Sequence, residues 1–185
     1  MTTPYRSRVM GDPTPSKRLD GDAVLADALV RELLEARLVG VLATLDSVRS
    51  IHAVPMWYAA GEGDVILATG SRSRKVRNLE IDSHATLVVH DSRPGFEVCG
   101  ASIAGTVAIV RGQEARELVD RVHRRYVTDG AAADPAVHEF FASDDVALRL
   151  RPLTAFTWDE RKSPACEALR ERGGALPLVS TRPRT

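Results

Sequence analysis

The segment ATGSRSRKVRN, residues 68–78, gathers Arg72, Arg74, Lys75 and Arg77 directly behind an apolar run and interleaves them with Ser71 and Ser73. A strand that hands over to a capped helix start leaves backbone N–H groups without intrahelical partners, at the positive end of the helix dipole. Phosphate groups bind at such places. Arg grips two phosphate oxygens with a fork of donors, and Lys adds a point charge. Ser73, Arg74 and Lys75 therefore form a candidate phosphate cradle. The segment lacks the second glycine and the Lys-Ser or Lys-Thr of a nucleotide-hydrolase phosphate loop. A solvated helix face produces the same local pattern in an arginine-rich chain. Here 22 of the 25 cations are Arg and three are Lys, so arginine alone says little and Lys75 says more.

Other reactive side chains are dispersed. His52, His84, His90, His123 and His138 show no metal-ligand spacing, and no metal site is expected; the last four read as surface or capping residues. Cys99 falls on a buried strand and reads as inert packing. Asp144-Asp145 reads as a loop or cap pair without partner spacing for catalysis. Glu114, Glu117 and Asp120, with Arg116, Arg121, Arg124 and Arg125, read as a solvated or salt-bridged helix face. By pattern alone Trp57 and Trp158 are core or interface aromatics. No side chain stands out as an obligatory acid or base, so no catalytic residue is assigned.

The elements that must hold the cradle follow from periodicity. Residues 1–20 carry three prolines and mixed charge and read as a flexible arm. A helix starts at Asp20 or Asp22, with Val24, Leu25, Ala28, Leu29, Leu33 and Leu34 at helical spacing. Strands are expected at 39–45, at 51–59 with Pro55 demanding an edge, and at 65–69. The cradle helix follows, with Val76 and Leu79 facing inward. Strands at 85–91 and 96–110 come next, the second bent at Gly100 and Gly105. Then come a helix at 113–127, a short helix near PAVHEFFA, and two last strands, VALRLRP and TAFTWDE. The domain spans 21–160, and 161–185 form a tail with a helix in 164–172. Hairpin-length loops and the glycine-bent long strand favour an α+β class, mainly β: a closed antiparallel barrel with helices packed outside. A doubly wound sheet is disfavoured, because no helix separates the first three strands.

The bulk composition narrows the function. The chain has 185 residues, enough for one domain with a real core. Its 25 basic and 25 acidic side chains argue against a nucleic-acid partner. No apolar run reaches the roughly 18–20 residues of a membrane span. Without an apolar signal core at the N-terminus, and with only Cys99 and Cys166, the expectation is a cytoplasmic protein with reduced thiols.

The order HAVPMW, hairpin, ILAT, GSRSRK, VRNLEID, ATLVV resembles the pyridoxamine 5′-phosphate oxidase-like family, the flavin-binding split barrel. The resemblance covers roughly residues 25–160. It implies that Ala68, Thr69, Ser73, Arg74 and Lys75 hold a cofactor phosphate. It also implies that the strand from His52 through Ala53, Val54 and Pro55 to Trp57 lines the cofactor ring. FTWDER resembles the family's C-terminal Phe-Trp segment, which puts Trp158 near the ring in a dimer. Authentic pyridoxamine phosphate oxidases carry an Arg at the start and a Lys at the end of the second strand, where His52 and Trp57 stand here. They end in an Arg-Leu-His type segment, where this chain has KSPACEALRERGG. Vitamin B6 oxidation is therefore not the expected activity. The implied function is a small oxidoreductase transferring hydride to or from a small organic substrate. FMN is the cofactor taken first, with the 5-deazaflavin coenzyme F420 as the alternative and a non-catalytic flavin or haem module as the rival class. A homodimer with cofactor sites at its interface is the expected assembly. The apolar strands at 96–110 and 153–159 and the sequence distance of Trp158 from the cradle point the same way.

Overall fold

The computed structural model describes residues 16–93, 97–141 and 144–173. The arm before residue 16, the turn at 94–96, the end of the PAVHEFFA helix and the tail beyond 173 lie outside the described residues. In chain order the elements are β1 (Lys17–Asp20), α1 (Ala23–Ala26), α2 (Ala28–Glu35), β2 (Gly40–Leu45), β3 (Ile51–Met56), β4 (Tyr58–Ala60), β5 (Val65–Gly70), α3 (Arg74–Ile81), β6 (His84–Arg93), β7 (Glu97–Val110), α4 (Gly112–Tyr126), α5 (Asp129–Ala132), α6 (Pro135–Phe141), β8 (Asp145–Asp159) and α7 (Pro164–Glu171).

The strands form one antiparallel sheet in the order β3-β2-β6-β7-β8-β5-β4, with β1 added to β8. The sheet curls into the expected split barrel. Its spine is β8, which pairs with β7 along most of its length, with β5 at its start and with β1 near its end. Two strands were expected here, and one is found. Pro152 does not break it, because the register shifts opposite, between Ala104 and Gly105. A Cβ on Gly105 would stand 2.1 Å from the Arg151 carbonyl oxygen, so only glycine lets the two backbones approach.

Three further boundaries differ from the sequence reading. The expected strand at 51–59 is interrupted at Trp57, which separates β3 from β4. The first helix is two, because Asp27 takes an extended conformation and caps α2, accepting from Leu29 N and Val30 N at 3.0 and 3.2 Å. Residues Lys17–Asp20, expected as the end of the arm, pair with β8 as β1. Pro55 does sit on an edge, since β3 ends the sheet.

The two sheet faces divide by strand alternation. Leu42, Leu87, Ile103 and Leu148 point into the barrel and are fully buried with Val24 and Val30 from the helices. A second cluster joins Ala115, Val119 and Val122 of α4 to Ala59, Ile66 and Ala147 of the sheet. The outward rows follow from the register. One runs Pro55, Val41, Val88, Ser102, Phe156, and the next Ala53, Ala43, Thr86, Ala104, Thr154. None of these ten residues is charged; on β1, at the rim of the face, the two rows end in the exposed pair Arg18 and Asp20.

Candidate functional site

The cradle is built as β5 ends at Gly70 and α3 begins at Arg74. Ser73 has the extended backbone of an N-cap, yet its side chain makes no cap hydrogen bond. In α2 and α7, by contrast, Asp27 and Ser163 cap with their side chains. The first-turn amides of α3 are thus left for another acceptor. Lys75 folds back over the strand end, and its Nζ donates to Thr69 Oγ1 at 2.7 Å. The Thr69 hydroxyl in turn donates to Ser73 Oγ at 3.3 Å. Burial pulls the Lys75 ammonium below its usual pKa, and the attraction of Asp145 opposes that shift. A desolvated cation with a hydroxyl neighbour is a ready partner for an anion.

Arg74 points elsewhere. Its guanidinium meets Asp46 in the β2–β3 turn at 2.8 Å, half exposed. Asp46 already accepts from Ser50 N and Val48 N, and these bonds together with Arg74 hold its carboxyl below the usual range. Arg72 and Arg77 are exposed on the outer side of the helix start.

A cleft of about 570 Å³ opens beside the cradle, lined by Val39, Pro55, Met56, Trp57, Ala68, Thr69, Gly70, His123 and Asp145. Trp57 is fixed by its neighbours. It stacks on Tyr126 with centroids 4.9 Å apart and planes within 4°, and it presents its edge to His123. Tyr126 donates to Leu38 O at 2.7 Å, and Tyr58 donates to Leu33 O at 2.7 Å. Arg125 donates to Leu34 O and Ala36 O. These three side chains bind carbonyls at and beyond the end of α2 and lock α4 against the wall that carries Trp57.

The structure therefore brings together Pro55, Trp57, Ala68 and Thr69 in one cleft, with Ser73 and Lys75 tied to Thr69. Ala53 is exposed on the outward face of the edge strand. His52 is half buried beside Thr44, and Val54 packs against the core. Trp158 is not brought to the cradle within one chain. Thr69 pairs with Val146 at the start of β8, whereas Trp158 pairs with Gly100 near its far end.

Two cleft residues correct the sequence reading. His123, taken for a surface or capping residue, is only 5% exposed. Its Nε2 lies 3.9 Å from Asp145 Oδ2 and its ring stacks on Phe141 at 4.3 Å. Asp145, taken for half of a loop pair, begins β8 opposite Gly70 and lines the cleft. The spacing Ala115, Val119, His123 marks the inward face of α4 and could have found the histidine. Nothing local could have found Asp145, because its place depends on the β5–β8 register. Cys99 is buried as expected. Among the described residues no group of three His, Cys, Asp or Glu side chains could hold a metal ion, and no helix is long and apolar enough to cross a membrane.

Comparison with known proteins places these features in context. The family model described as pyridoxamine 5′-phosphate oxidase matches residues 26–159. No curated protein matches the sequence. Among solved structures, the conserved hypothetical protein Rv2991 from Mycobacterium tuberculosis is similar at 26% identity and TM-score 0.62, over 85% of this chain and 92% of that one. An F420 reductase is similar at 24% identity and TM-score 0.53, over 68% of this chain and 94% of that one. HutZ, the heme storage protein from Vibrio cholerae, is similar at 14% identity and TM-score 0.54, over 66% of this chain and 87% of that one. The last two likenesses carry the fold alone.

Proposed function

The chain belongs to the pyridoxamine 5′-phosphate oxidase family, and from that premise we propose that it is a flavin-type oxidoreductase whose cofactor phosphate binds at Thr69, Ser73 and Lys75. The observation that carries this reading is the uncapped start of α3 beside a desolvated lysine. The donor set suits a phosphate, because backbone amides, two hydroxyls and an ammonium converge at one strand end. The cleft suits a flat ring, since Pro55, Trp57 and Ala68 line it with flat or small apolar surface. A bound flavin supplies hydride transfer; the protein supplies grip, orientation and exclusion of water. Lys75 and the α3 amides neutralise the phosphate. Arg74 joins them by leaving Asp46, from which its half-exposed guanidinium can swing because Ser50 N and Val48 N already serve that carboxylate. Trp57, clamped by Tyr126, keeps the ring wall rigid.

FMN is the first reading. The deazaflavin coenzyme F420 is the second, and exposed Arg72 and Arg77 beside the cradle favour it, since its acidic tail needs a basic approach. The absence of the family's substrate-gripping Arg, Lys and Arg-Leu-His residues argues against pyridoxamine phosphate as the substrate.

The working unit in this reading is a homodimer. The uncharged outward rows of β3, β2, β6, β7 and β8 support it, with Phe156 half exposed and Ile51 and Leu153 lining an apolar groove of about 410 Å³ on this face. Trp158 shares the face with Ala53 and Pro55 by strand alternation. Pairing two such faces about a twofold axis carries the Trp158 of each subunit towards the cleft of the other.

The test is the visible spectrum of the protein as purified and after mixing with each cofactor. Two flavin bands support FMN, one violet band supports F420, and an intense haem band or no chromophore under any condition would contradict the reading.

A further inference from the structure

A second cavity adjoins the cleft and has no part in holding the phosphate. It measures about 580 Å³ and is lined by Trp57, Tyr126, Val127, Thr128, Ala131, Ala136, Val137 and Phe141. Its size falls within the usual range for small-molecule sites, about 300–1,000 Å³. The sequence explains why it is open. In DGAAADPAVHEFF the short helices α5 and α6 put the small side chains of Ala131 and Ala136 on its open rim.

The two hydroxyls on its wall are already engaged. Thr128 Oγ1 accepts from Ala131 N and caps α5. The Tyr126 hydroxyl donates to Leu38 O and accepts from Tyr58 N. Among the described lining residues none is charged. A charged group entering here finds no opposite charge on these walls to offset the water it gives up. Trp57 lines both this bay and the cleft, so a molecule in the bay has its edge next to whatever occupies the cleft.

We propose that the bay between α4, α5 and α6 binds a small, uncharged, apolar organic molecule, held beside the cofactor cleft where Trp57 lines both. Its binding stands on the walls described above; calling it the substrate rests on the oxidoreductase reading. The walls then set specificity by excluding charge, and Trp57 sets the distance between the two ligands.

The experiment uses N-phenyl-1-naphthylamine, a neutral probe that brightens in apolar surroundings, and its anionic analogue 1-anilinonaphthalene-8-sulfonate. Ala136→Trp fills the bay, and Val137→Asp places an unpaired charge on its wall. Thermal melts confirm that both variants fold, and FMN and F420 titrations of each report on the cleft separately. The expected result is saturable binding of the neutral probe to wild type, about tenfold tighter than the sulfonate, and a loss of about tenfold or more in both variants with cofactor affinity unchanged. Neutral-probe binding without affinity for either cofactor keeps the site and removes only the word substrate. The proposal is overturned if wild type shows no saturation below about 100 µM, as when part of this chain or a second copy fills the bay. It is equally overturned if both variants bind the probe as wild type does, or if the sulfonate binds as tightly as the neutral probe.

Discussion

His123 sits at the back of the cleft with Phe141 against its ring face, the edge of Trp57 beside it, Asp145 reaching from β8 and Asp120 on its own helix. Burial is the largest influence and holds its imidazole below the ordinary 6.5, against the pull of the two carboxylates. In the unfolded chain the same group takes up its proton near 6.5. Below that pH the unfolded state binds more protons, so stability falls as pH drops from about 7 towards the folded-state value. The slope from one such group is at most about 1.4 kcal/mol per pH unit. The carboxylates held low, Asp27, Asp46, Asp82 and Asp159, act only in a more acid range. Wild type should therefore lose melting temperature between pH 7.5 and 5.5, and His123→Gln should lose less; parallel curves would show that His123 is not buried in its neutral form. Its inward position was legible in the spacing from Ala115 and Val119. The cradle lysine was legible too, because helix start and charge lie within one short segment. Arg74 was half legible: its place at the helix start was right, but its bond to Asp46 depends on a turn far away in sequence.

At the scale of elements, the long strands β7 and β8 show what two glycines do. Gly105 lies where a Cβ would meet the Arg151 carbonyl at 2.1 Å, a backbone atom that moves only with its strand. Gly100 lies under the Trp158 ring, where a Cβ would come 2.1 Å from an indole carbon. A side chain can turn away, whereas a ladder cannot. Gly105→Ala should therefore destabilise by about 1–3 kcal/mol or more, and Gly100→Ala by less, with its effect concentrated on Trp158 fluorescence. Chemical denaturation of both variants checks the order; equal losses would remove the distinction between backbone and side-chain crowding. Of the two glycines expected to bend the strand, Gly105 marks a shift of register, whereas the ladder runs unbroken through Gly100. The continuity of β8 was hidden, since Pro152 reads as a terminator unless the bulge opposite it is known. The break at Trp57 was hidden for a related reason: alternation continues through it, and only the pairing partners change, from β2 for β3 to β5 for β4.

For the whole molecule, strand succession and hairpin lengths were enough to indicate an antiparallel barrel, because antiparallel neighbours follow from short connections, while its split form was implied by the family resemblance. They did not locate the site, which joins the start of β8 to the end of β5 and the last turn of α4. They also could not say how Trp158, at the other end of β8, reaches a ring. The uncharged outward rows supply a physical answer through a second copy of the chain. Solution mass should be twice the 20.1 kDa of one chain, and Phe156→Arg, which buries an unpaired charge in that face, should shift it towards the monomer. A wild-type monomer that holds a full equivalent of cofactor would refute the shared site.

The central claim is that a cofactor phosphate is held where β5 meets α3. Titration of FMN and of F420 into wild type, Lys75→Ala and Arg74→Ala, followed by fluorescence, tests it most directly. Removing a buried charged partner of a phosphate costs about 1.5–3 kcal/mol, or roughly tenfold or more in affinity. That loss is expected for Lys75→Ala with whichever cofactor binds wild type, and a smaller one for Arg74→Ala, whose guanidinium must first leave Asp46. Lys75→Ala binding both cofactors as wild type does would show that the phosphate is not held there.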